Sequence, residues 1–360
     1  MRDVAIVSFA QSTSPRTDQD ECELLVPVIT EALGAAGVRK TDVGFTVSGS
    51  CDYLGGRPFS FVMALDAVGA WPPIEESHVE MDGAFALYEA WVRLLEGDID
   101  VALVYAFGRS SQGDTEELDT LQLDPYTMGP LWPGATTMAA LQARAMLDAG
   151  LCTERDLATI AARSRRSAAA NPHAIARDDR SVDALLAAPY SVAPLRASDG
   201  PPVTDGACAI VLAAGDRANK LTGRPAWIRG IDHRIEPHAL GMRDLTRSVS
   251  TEIAARKAGA LGTSVDVAEI HAPYSHQEIL VRRALALNET AEVNPSGGAL
   301  SSNPLMVAGL TRFGEAARRV LDGSAKTAIA HATSGPCMQQ NLVGLLGTTP
   351  KSERHSGGKS

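Results

Sequence analysis

The stretch Val293-Asn-Pro-Ser-Gly-Gly-Ala-Leu-Ser-Ser-Asn-Pro-Leu-Met-Val-Ala-Gly309 contains two adjacent glycines, a polar tip and an apolar run that begins at Leu305. Paired glycines allow backbone conformations and close approaches that other residues cannot adopt. Pro304 suits the start of a helix, where its missing N–H costs nothing. The stretch therefore predicts a tight loop that delivers Asn303 to a cleft at a helix N-terminus. On the local pattern alone, Asn303 is more typical of a helix cap or a turn than of a catalytic residue.

Short apolar runs alternate with helical segments along the first half of the chain. Residues 4–10 form an apolar run typical of a buried strand, and residues 23–36 have helical spacing. Strands are predicted again at 42–47 and 101–105, with an amphipathic helix over 84–96. This order indicates parallel strands that are joined by right-handed crossovers.

The second half of the chain repeats this order of elements. The repeated elements are predicted as strands at 225–231, 265–270, 328–332 and 341–346, and as helices around 250–260 and 309–321. Between the two sets, the region from about 110 to 200 is broken by prolines and carries helical stretches around 135–150 and 154–170. Such an excursion inside an α/β protein predicts an inserted region that shapes the substrate site.

Composition and charge limit the functional classes. The 360 residues are enough for two domains or one large duplicated unit, and 45% hydrophobic with 21% charged residues is typical of a soluble globular protein. A formal net charge of −10 argues against a nucleic-acid partner. No apolar run reaches membrane-spanning length, and we see no signal peptide. Five scattered cysteines without metal-type spacing indicate reduced thiols, so we expect a cytoplasmic protein that holds no metal.

Three motifs resemble those of the thiolase superfamily. Asn294-Pro-Ser-Gly-Gly298, followed by Pro304 and Gly309, is similar to the Asn-x-x-Gly-Gly…Gly-His-Pro…Gly block of that superfamily. Thr204-Asp-Gly-Ala207 resembles its Ser-Asp-Gly-Ala turn, and His271-Ala-Pro-Tyr-Ser-His276 stands where its sterol-carrier-protein-x branch has His-Asp-Cys-Phe. The resemblance is closest to that branch and to the actinobacterial lipid-transfer-protein thiolases of steroid side-chain degradation.

The resemblance implies an α/β thiolase fold, in which two βαβαβ halves form five α-β-α-β-α layers. It implies an N-terminal half over residues 1–215, which includes the inserted loop region at about 110–200, and a C-terminal half over residues 216–347. Residues 348–360 are polar and rich in Gly and Ser, which predicts a flexible tail.

The resemblance also points to residues that could hold an oxyanion. His271 retains the first position of the His-Asp-Cys-Phe motif and follows a predicted strand, where open α/β sheets bind ligands. Asn303 stands where the superfamily has the histidine of Gly-His-Pro, so that catalytic histidine is absent. These positions imply donors for the oxygen of a thioester enolate. Tyr274 stands at the phenylalanine position, where packing is the default and a weakly acidic hydroxyl is the alternative.

The nucleophilic cysteine of the superfamily has no counterpart. Matching its Cys-x-x-Gly motif to Gly83 puts Glu80 in the place of the cysteine, or Met81 if the alignment slips by one. A helix N-terminus favours a carboxylate as it favours a thiolate, so Glu80 is either an ionised base or a first-turn charge. The last superfamily motif, Cys-x-Gly, corresponds to Ser334-Gly-Pro-Cys337 with its cysteine out of register. Cys337 then faces the cleft or, more commonly for such a residue, is an inert buried thiol.

These losses favour a reaction that needs no acyl-cysteine. Retro-aldol cleavage of a β-hydroxyacyl-CoA requires a base and donors that stabilise the enolate, so we expect an aldol-lyase that acts on a sterol side-chain CoA thioester. One alternative is a catalytically inactive thiolase-like subunit that supports an active partner. The other is an acyltransferase that uses Cys337 or another nucleophile.

The resemblance further implies what the protein binds. The acyl-CoA substrate carries the coenzyme A, so no resident cofactor is expected. A homodimer or a thiolase-like heterodimer is expected, together with a small zinc-ribbon/OB-fold partner protein. Neither a nucleic-acid partner nor a membrane span is expected.

Overall fold

The computed structural model describes residues 2–56 and 58–351, so residues 352–360 of the predicted flexible tail lie outside the described residues. The strands are β1 (Val4–Ser14), β2 (Phe45–Gly49), β3 (Glu76–Val79), β4 (Val101–Arg109), β5 (Tyr190–Val192), β6 (Leu195–Arg196), β7 (Asp205–Ala214), β8 (Ala226–Ile235), β9 (Val267–Ile270), β10 (Glu292–Val293), β11 (Thr327–Ser334) and β12 (Gln340–Gly347). The α-helices are α1 (Glu21–Ala36), α2 (Asp52–Gly55), α3 (Ser60–Val68), α4 (Gly83–Glu96), α5 (Thr115–Leu121), α6 (Ala135–Asp148), α7 (Glu154–Ser167), α8 (Val182–Leu186), α9 (Gly215–Leu221), α10 (Val249–Ala258), α11 (Ser275–Leu285) and α12 (Ala308–Leu321).

The main sheet has an internal repeat. Its strand order is β10-β9-β11-β12-β8-β1-β7-β4-β2-β3, so the order β3-β2-β4-β7-β1 recurs as β10-β9-β11-β12-β8. In each set, three strands run parallel and the remaining pairs are antiparallel. The two sets meet where β1 pairs with β8 through Ala5–Trp227 and Ile6–Ala226. The duplicated α/β arrangement expected from the sequence is confirmed.

Helices cover both faces of each strand set. Helices α4 and α12 pack against each other between the two sets, and their apolar faces form the central core with side chains such as Leu87 and Phe313. Helix α1 covers β1 and β7 from outside, with Leu25 and Ile29 buried. Helix α10 covers β8 and β12 on the other outer face and contacts α11. Burial of one apolar stripe per outer helix and of most of α12 produces the five α-β-α-β-α layers.

The start of α4 lies where three elements approach closely. A Cβ atom at Gly83 would lie 2.6 Å from the Cβ of Ala106 on β4 and 2.9 Å from Cδ2 of Leu310 on α12. Only glycine leaves room for this approach, so Gly83 fixes how tightly the two central helices begin against one another.

The inserted region lies between β4 and β7 and is more regular than the sequence indicates. It contains α5, α6, α7 and α8 and the β5–β6 hairpin, and its helices α6 and α7 contact α11 of the second strand set. The inserted region therefore lies over the end of β9, where the site residues are found. Within the described residues, no helix is both long and apolar enough to cross a membrane.

Candidate active site

A cavity of about 420 Å³ lies where the inserted region meets the end of β9. Its wall comes from the loop after β9, the loop before α12, the turn between β11 and β12, and helices α5 and α6. Four of the residues singled out from the sequence line this cavity: His271, Tyr274, Asn303 and Cys337. The structure therefore brings together side chains that lie up to 66 residues apart, from 271 to 337.

The glycine-rich loop before α12 is tied to the end of β9. Gly297 and Gly298 adopt φ angles of +96° and +62°, which glycine tolerates and other residues avoid. The Asn294 side chain accepts a hydrogen bond from the Ile270 N–H at 2.7 Å and donates to Glu278 at 3.2 Å. The loop is thus held against the strand that carries the site histidine.

The segment after the glycines turns Asn303 toward the site rather than onto the helix. Helix α12 begins at Ala308, one residue before the predicted helix over 309–321 and three residues after the start of the apolar run at Leu305, and Asn303 makes no capping hydrogen bond to it. The Asn303 N–H donates to Oγ1 of Thr204 at 3.0 Å, so two of the sequence motifs are in contact. The interpretation of Asn303 as a helix cap is wrong, and its side chain instead contacts His271.

His271 and Asn303 form a buried pair with a defined proton arrangement. Nε2 of His271 lies 3.0 Å from Oδ1 of Asn303, and the Thr333 N–H donates to Nδ1 of His271 at 3.4 Å. Because Nδ1 accepts, the proton of a neutral imidazole is on Nε2 and is donated to the amide oxygen. Burial lowers the pKa of His271 to about 4, which keeps the ring neutral. His271 therefore holds Asn303 by its oxygen, and the Asn303 side-chain nitrogen makes no hydrogen bond within the described part of the chain.

Two solved structures share this architecture over nearly the whole chain. Human mitochondrial 3-ketoacyl-CoA thiolase superposes with a TM-score of 0.78 at 18% identity, covering 97% of this chain and 99% of that one. The chain has the thiolase fold. An Ltp2-ChsH2(DUF35) aldolase superposes with a TM-score of 0.80, also at 18% identity, over 96% of this chain and 98% of its own.

Curated relatives agree with the thiolase fold. The acetyl-CoA acetyltransferase of Methanothermobacter thermautotrophicus is 26% identical over 97% of this chain and 98% of its own length. The benzoylsuccinyl-CoA thiolase subunit BbsB of Thauera aromatica is 25% identical over 55% of this chain and 59% of its own. No protein-family model matches the chain. These relatives support the thiolase superfamily, while the names of the similar proteins divide between acyl transfer and aldol chemistry.

A buried carboxylate occupies the start of the first central helix of this thiolase fold. Asp82 is 2% exposed, precedes α4 and accepts a hydrogen bond from the Ala84 N–H at 2.9 Å. It also accepts from the N–H groups of Gly309 and Leu310, at 2.8 and 2.9 Å, and so closes the start of α12 as well. We did not single out Asp82 from the sequence, although aspartate directly before a helix is a common N-cap.

Glu80 lies apart from the other candidates, because its side chain is exposed and is not among the described residues that line the cavity. Strand β3 ends at Val79 and α4 begins only at Gly83, so Glu80 lies in the connecting turn. There its carboxylate accepts a hydrogen bond from the Asp52 N–H. The structure therefore does not bring Glu80 together with the other candidates.

The thiols at the cavity are not activated. Cys337 is buried, its Sγ donates to the Met138 carbonyl at 3.3 Å, and burial raises its pKa to about 12. Cys51, which also lines the cavity, has its pKa raised by burial and by the charge of Glu80, outweighing the backbone groups that lower it. Neither thiol therefore has the depressed pKa of a cysteine nucleophile.

Tyr274 does more than pack. It is 8% exposed, and its hydroxyl lies 3.1 Å from Oγ1 of Thr136 at the start of α6. Burial raises the pKa of the phenol far above its usual value, so the hydroxyl stays protonated. Thr136 in turn donates to the Glu116 carboxylate at 2.6 Å.

The remaining charged side chains of the cavity wall are acidic. Glu116 and Asp119 on α5 line it together with Asp82, and none of the described lining residues is lysine or arginine. Asp119 has its pKa raised to about 6, chiefly by burial and further by the charge of Glu116. Sequence inspection missed these residues because α5 belongs to the inserted region, which none of the recognised motifs covers.

Proposed function

We propose that this protein is a thiolase-like acyl-CoA aldol-lyase. It cleaves a β-hydroxyacyl-CoA to a ketone or aldehyde and a short acyl-CoA, and it needs no resident cofactor because the substrate carries coenzyme A. The observation that supports this most directly is the Asn303 amide, oriented by a neutral His271 at a cavity without an activated thiol.

The amide supplies what the retro-aldol step requires. When the β-hydroxyl loses its proton, the C–C bond breaks and its electron pair passes to the α-carbon and the thioester oxygen. The Asn303 NH₂ group donates a hydrogen bond to that oxygen as charge develops, and it does so without a change in its own protonation. A preorganised donor of this kind contributes roughly 10²–10³-fold to kcat.

His271 acts through Asn303. Its Nε2–H donates to the amide oxygen, which fixes which end of the amide points into the cavity and polarises the NH₂ group. His271 is therefore a positioning residue in this proposal rather than the direct donor that the sequence analysis expected.

The wall of the cavity supports an uncharged acyl substrate. Three carboxyl groups and no described lysine or arginine line it, which disfavours an acyl group that carries its own carboxylate. A volume of about 420 Å³ lies in the usual range for a small-molecule site and suits a branched acyl group. We therefore propose a sterol side-chain CoA thioester with a tertiary β-hydroxyl as the substrate.

A second protein component is part of the proposal. The structurally similar aldolase is described as Ltp2-ChsH2(DUF35), which names two components. By that likeness we propose a zinc-ribbon/OB-fold partner for this chain, within a homodimer or a thiolase-like heterodimer.

Acyl transfer is the second candidate, because curated relatives are acetyl-CoA acetyltransferases and two cysteines line the cavity. Thiolysis requires a thiolate, and the raised pKa values of Cys51 and Cys337 oppose its formation. A non-catalytic supporting subunit is the third candidate, since the superfamily's catalytic cysteines and Gly-His-Pro histidine are absent.

The test is incubation of the purified chain, alone and with the candidate zinc-ribbon/OB-fold partner, with a tertiary β-hydroxyacyl-CoA. We expect a ketone and a short acyl-CoA in equal amounts, with no effect of prior thiol alkylation. Loss of activity on alkylation would favour acyl transfer. Cleavage that appears only with the partner and survives Asn303→Ala would assign this chain a supporting role.

A further inference from the structure

We propose that a hydrogen-bonded chain from Tyr274 through Thr136 to Glu116, here called the proton relay, takes up the β-hydroxyl proton of the substrate. This inference rests on the proposed aldol-lyase function and supplies a base at the cavity, which Glu80 does not line. The hydroxyl of Tyr274 lies 3.1 Å from Oγ1 of Thr136, and that oxygen lies 2.6 Å from Oε1 of Glu116.

The direction of the proton relay follows from its outer end. A carboxylate oxygen only accepts hydrogen bonds, so the Thr136 hydroxyl donates to Glu116. The single proton of Thr136 is then used, and its oxygen accepts from the Tyr274 hydroxyl. The lone pairs of the Tyr274 oxygen remain for a proton that arrives from the cavity.

The backbone and neighbouring residues fix the positions of Thr136 and Glu116 in the relay. Thr136 is in the first turn of α6, and its N–H donates to both Glu116 oxygens at 3.3 Å. A carboxylate near a helix N-terminus is also favoured by the helix dipole. Glycine at 134 leaves the space that the Glu116 carboxylate fills, because a Cβ atom there would overlap it. Glu116 is a surface side chain, but its carboxylate is held in the relay by the N–H and the hydroxyl of Thr136.

The proton relay leads from a buried side chain at the cavity to a side chain that is exposed to solvent. Tyr274 is 8% exposed and lines the cavity, whereas Glu116 lines the cavity wall and is exposed to solvent. The phenol alone is a poor base because burial keeps it protonated. Coupled to Thr136 and Glu116, it accepts one proton as it releases another, so no buried phenolate forms.

The proposed step balances. The β-hydroxyl proton passes to the Tyr274 oxygen, the Tyr274 proton to Thr136 and the Thr136 proton to Glu116. The Cα–Cβ bond breaks, the carbonyl of the ketone forms, and the electron pair remains on the thioester enolate. Return of a proton to the α-carbon then gives the short acyl-CoA, and Glu116 regains its charge when that proton leaves the relay.

The decisive variants are Thr136→Val and Thr136→Ser. Valine removes the central hydroxyl at nearly constant volume, so we expect kcat to fall about 10²-fold with KM within about twofold of wild type. Serine keeps the hydroxyl and should restore most of kcat. Glu116→Gln still accepts from Thr136 but cannot take its proton, and should lower kcat by a similar factor.

The matched control is Thr159→Val on the exposed face of α7. Its hydroxyl donates to the Arg155 carbonyl, away from the cavity, so kcat should not change. Cleavage by wild type that is undiminished in Thr136→Val, or equally impaired in Thr136→Ser, would overturn the relay and leave the lyase function standing. A wild-type protein that cleaves no β-hydroxyacyl-CoA, with or without its partner, would overturn the lyase function and the relay with it.

Discussion

The two central helices occupy equivalent places in the repeated architecture, yet their starts differ in what they present. The turn before α4 carries Asp82, whose carboxylate accepts hydrogen bonds from three backbone N–H groups. The loop before α12 carries Asn303, whose side chain makes no capping bond and is held toward the cavity by His271. The side chain at the start of α4 therefore stabilises the fold, whereas the side chain before α12 is free to contact a substrate. The proposed oxyanion donor, Asn303, is the one before α12.

The largest expected effect is on stability, from Asp82→Ala. The change leaves three buried N–H groups without an acceptor at the starts of both central helices, so we expect a loss of about 3–5 kcal/mol in the free energy of unfolding. Asp82→Asn keeps Oδ1 but not Oδ2, which accepts from Gly309, and should lose about half as much. Urea denaturation followed by circular dichroism measures both, and a loss below about 1 kcal/mol for Asp82→Ala would contradict the structural assignment.

Asn303→Ala should produce the opposite pattern. We expect kcat for the aldol cleavage to fall roughly 10²–10³-fold, because the preorganised donor is removed. The unfolding midpoint should fall less than in Asp82→Ala, because one buried hydrogen bond is lost rather than three. Steady-state kinetics with the tertiary β-hydroxyacyl-CoA measures the first quantity and thermal denaturation the second. A kcat equal to that of wild type in this variant would show that Asn303 is not the oxyanion donor.

A third prediction concerns acid stability. The described histidines whose pKa is lowered by burial all lie in the second strand set and its helices: His271 to about 4, His276 and His331 to about 3. A folded-state pKa below the unfolded value of about 6.5 means that the unfolded chain binds more protons as the pH falls below 6.5. These residues therefore lower the free energy of unfolding progressively as the pH falls from about 6.5, down to about pH 4 for His271 and about pH 3 for His276 and His331.

His276→Gln isolates one of these contributions. Glutamine can still donate to the Gln142 oxygen that His276 contacts at 3.2 Å, but it cannot titrate. Relative to wild type, the variant should gain about 2 kcal/mol between about pH 7 and about pH 5. Parallel urea titrations give the difference, and a wild-type-to-variant difference that is constant across this window would contradict the prediction.

The smallest expected effect is that of Glu80→Gln. Its carboxylate is exposed and accepts from the Asp52 N–H, and a glutamine oxygen can accept the same bond. Surface substitutions usually change the free energy of unfolding by no more than about 0.5 kcal/mol, and Glu80 does not line the cavity, so we expect kcat to change by less than about twofold. A large fall in kcat would support Glu80 as the base and would show that the turn before α4 also takes part in catalysis.

Much of the fold could be predicted from the sequence, because the pattern of apolar residues within each segment indicates its strand or helix. The apolar runs at 4–10 and 101–105 and the helical spacing over 84–96 all mark observed elements, and the repeat of strand and helix order is visible by inspection. The start of α12 was predicted to within one residue, but the carboxyl group that caps it lies 227 positions from Gly309 in sequence, on Asp82. No local pattern contains that information.

The candidate site was accessible only in part. His271 and Asn303 were found because their motifs resemble those of a known superfamily, and Tyr274 because it follows in the same motif. Thr136 lies 138 residues from Tyr274, in an inserted region whose sequence contains no recognised motif. Side-chain pairs of that kind depend on how the inserted helices lie over the strand ends, which only the folded chain reveals.

Asp82 has a consequence for any attempt to re-engineer sulfur chemistry into this protein. The positive end of a helix dipole helps to ionise a cysteine, but here the Asp82 carboxyl group already accepts from the free N–H groups at the starts of two helices. A cysteine introduced beside it would keep an ordinary, protonated thiol. Removing the Asp82 carboxyl group would leave the starts of both central helices without their acceptor, so a thiolate there would come with a large loss of stability.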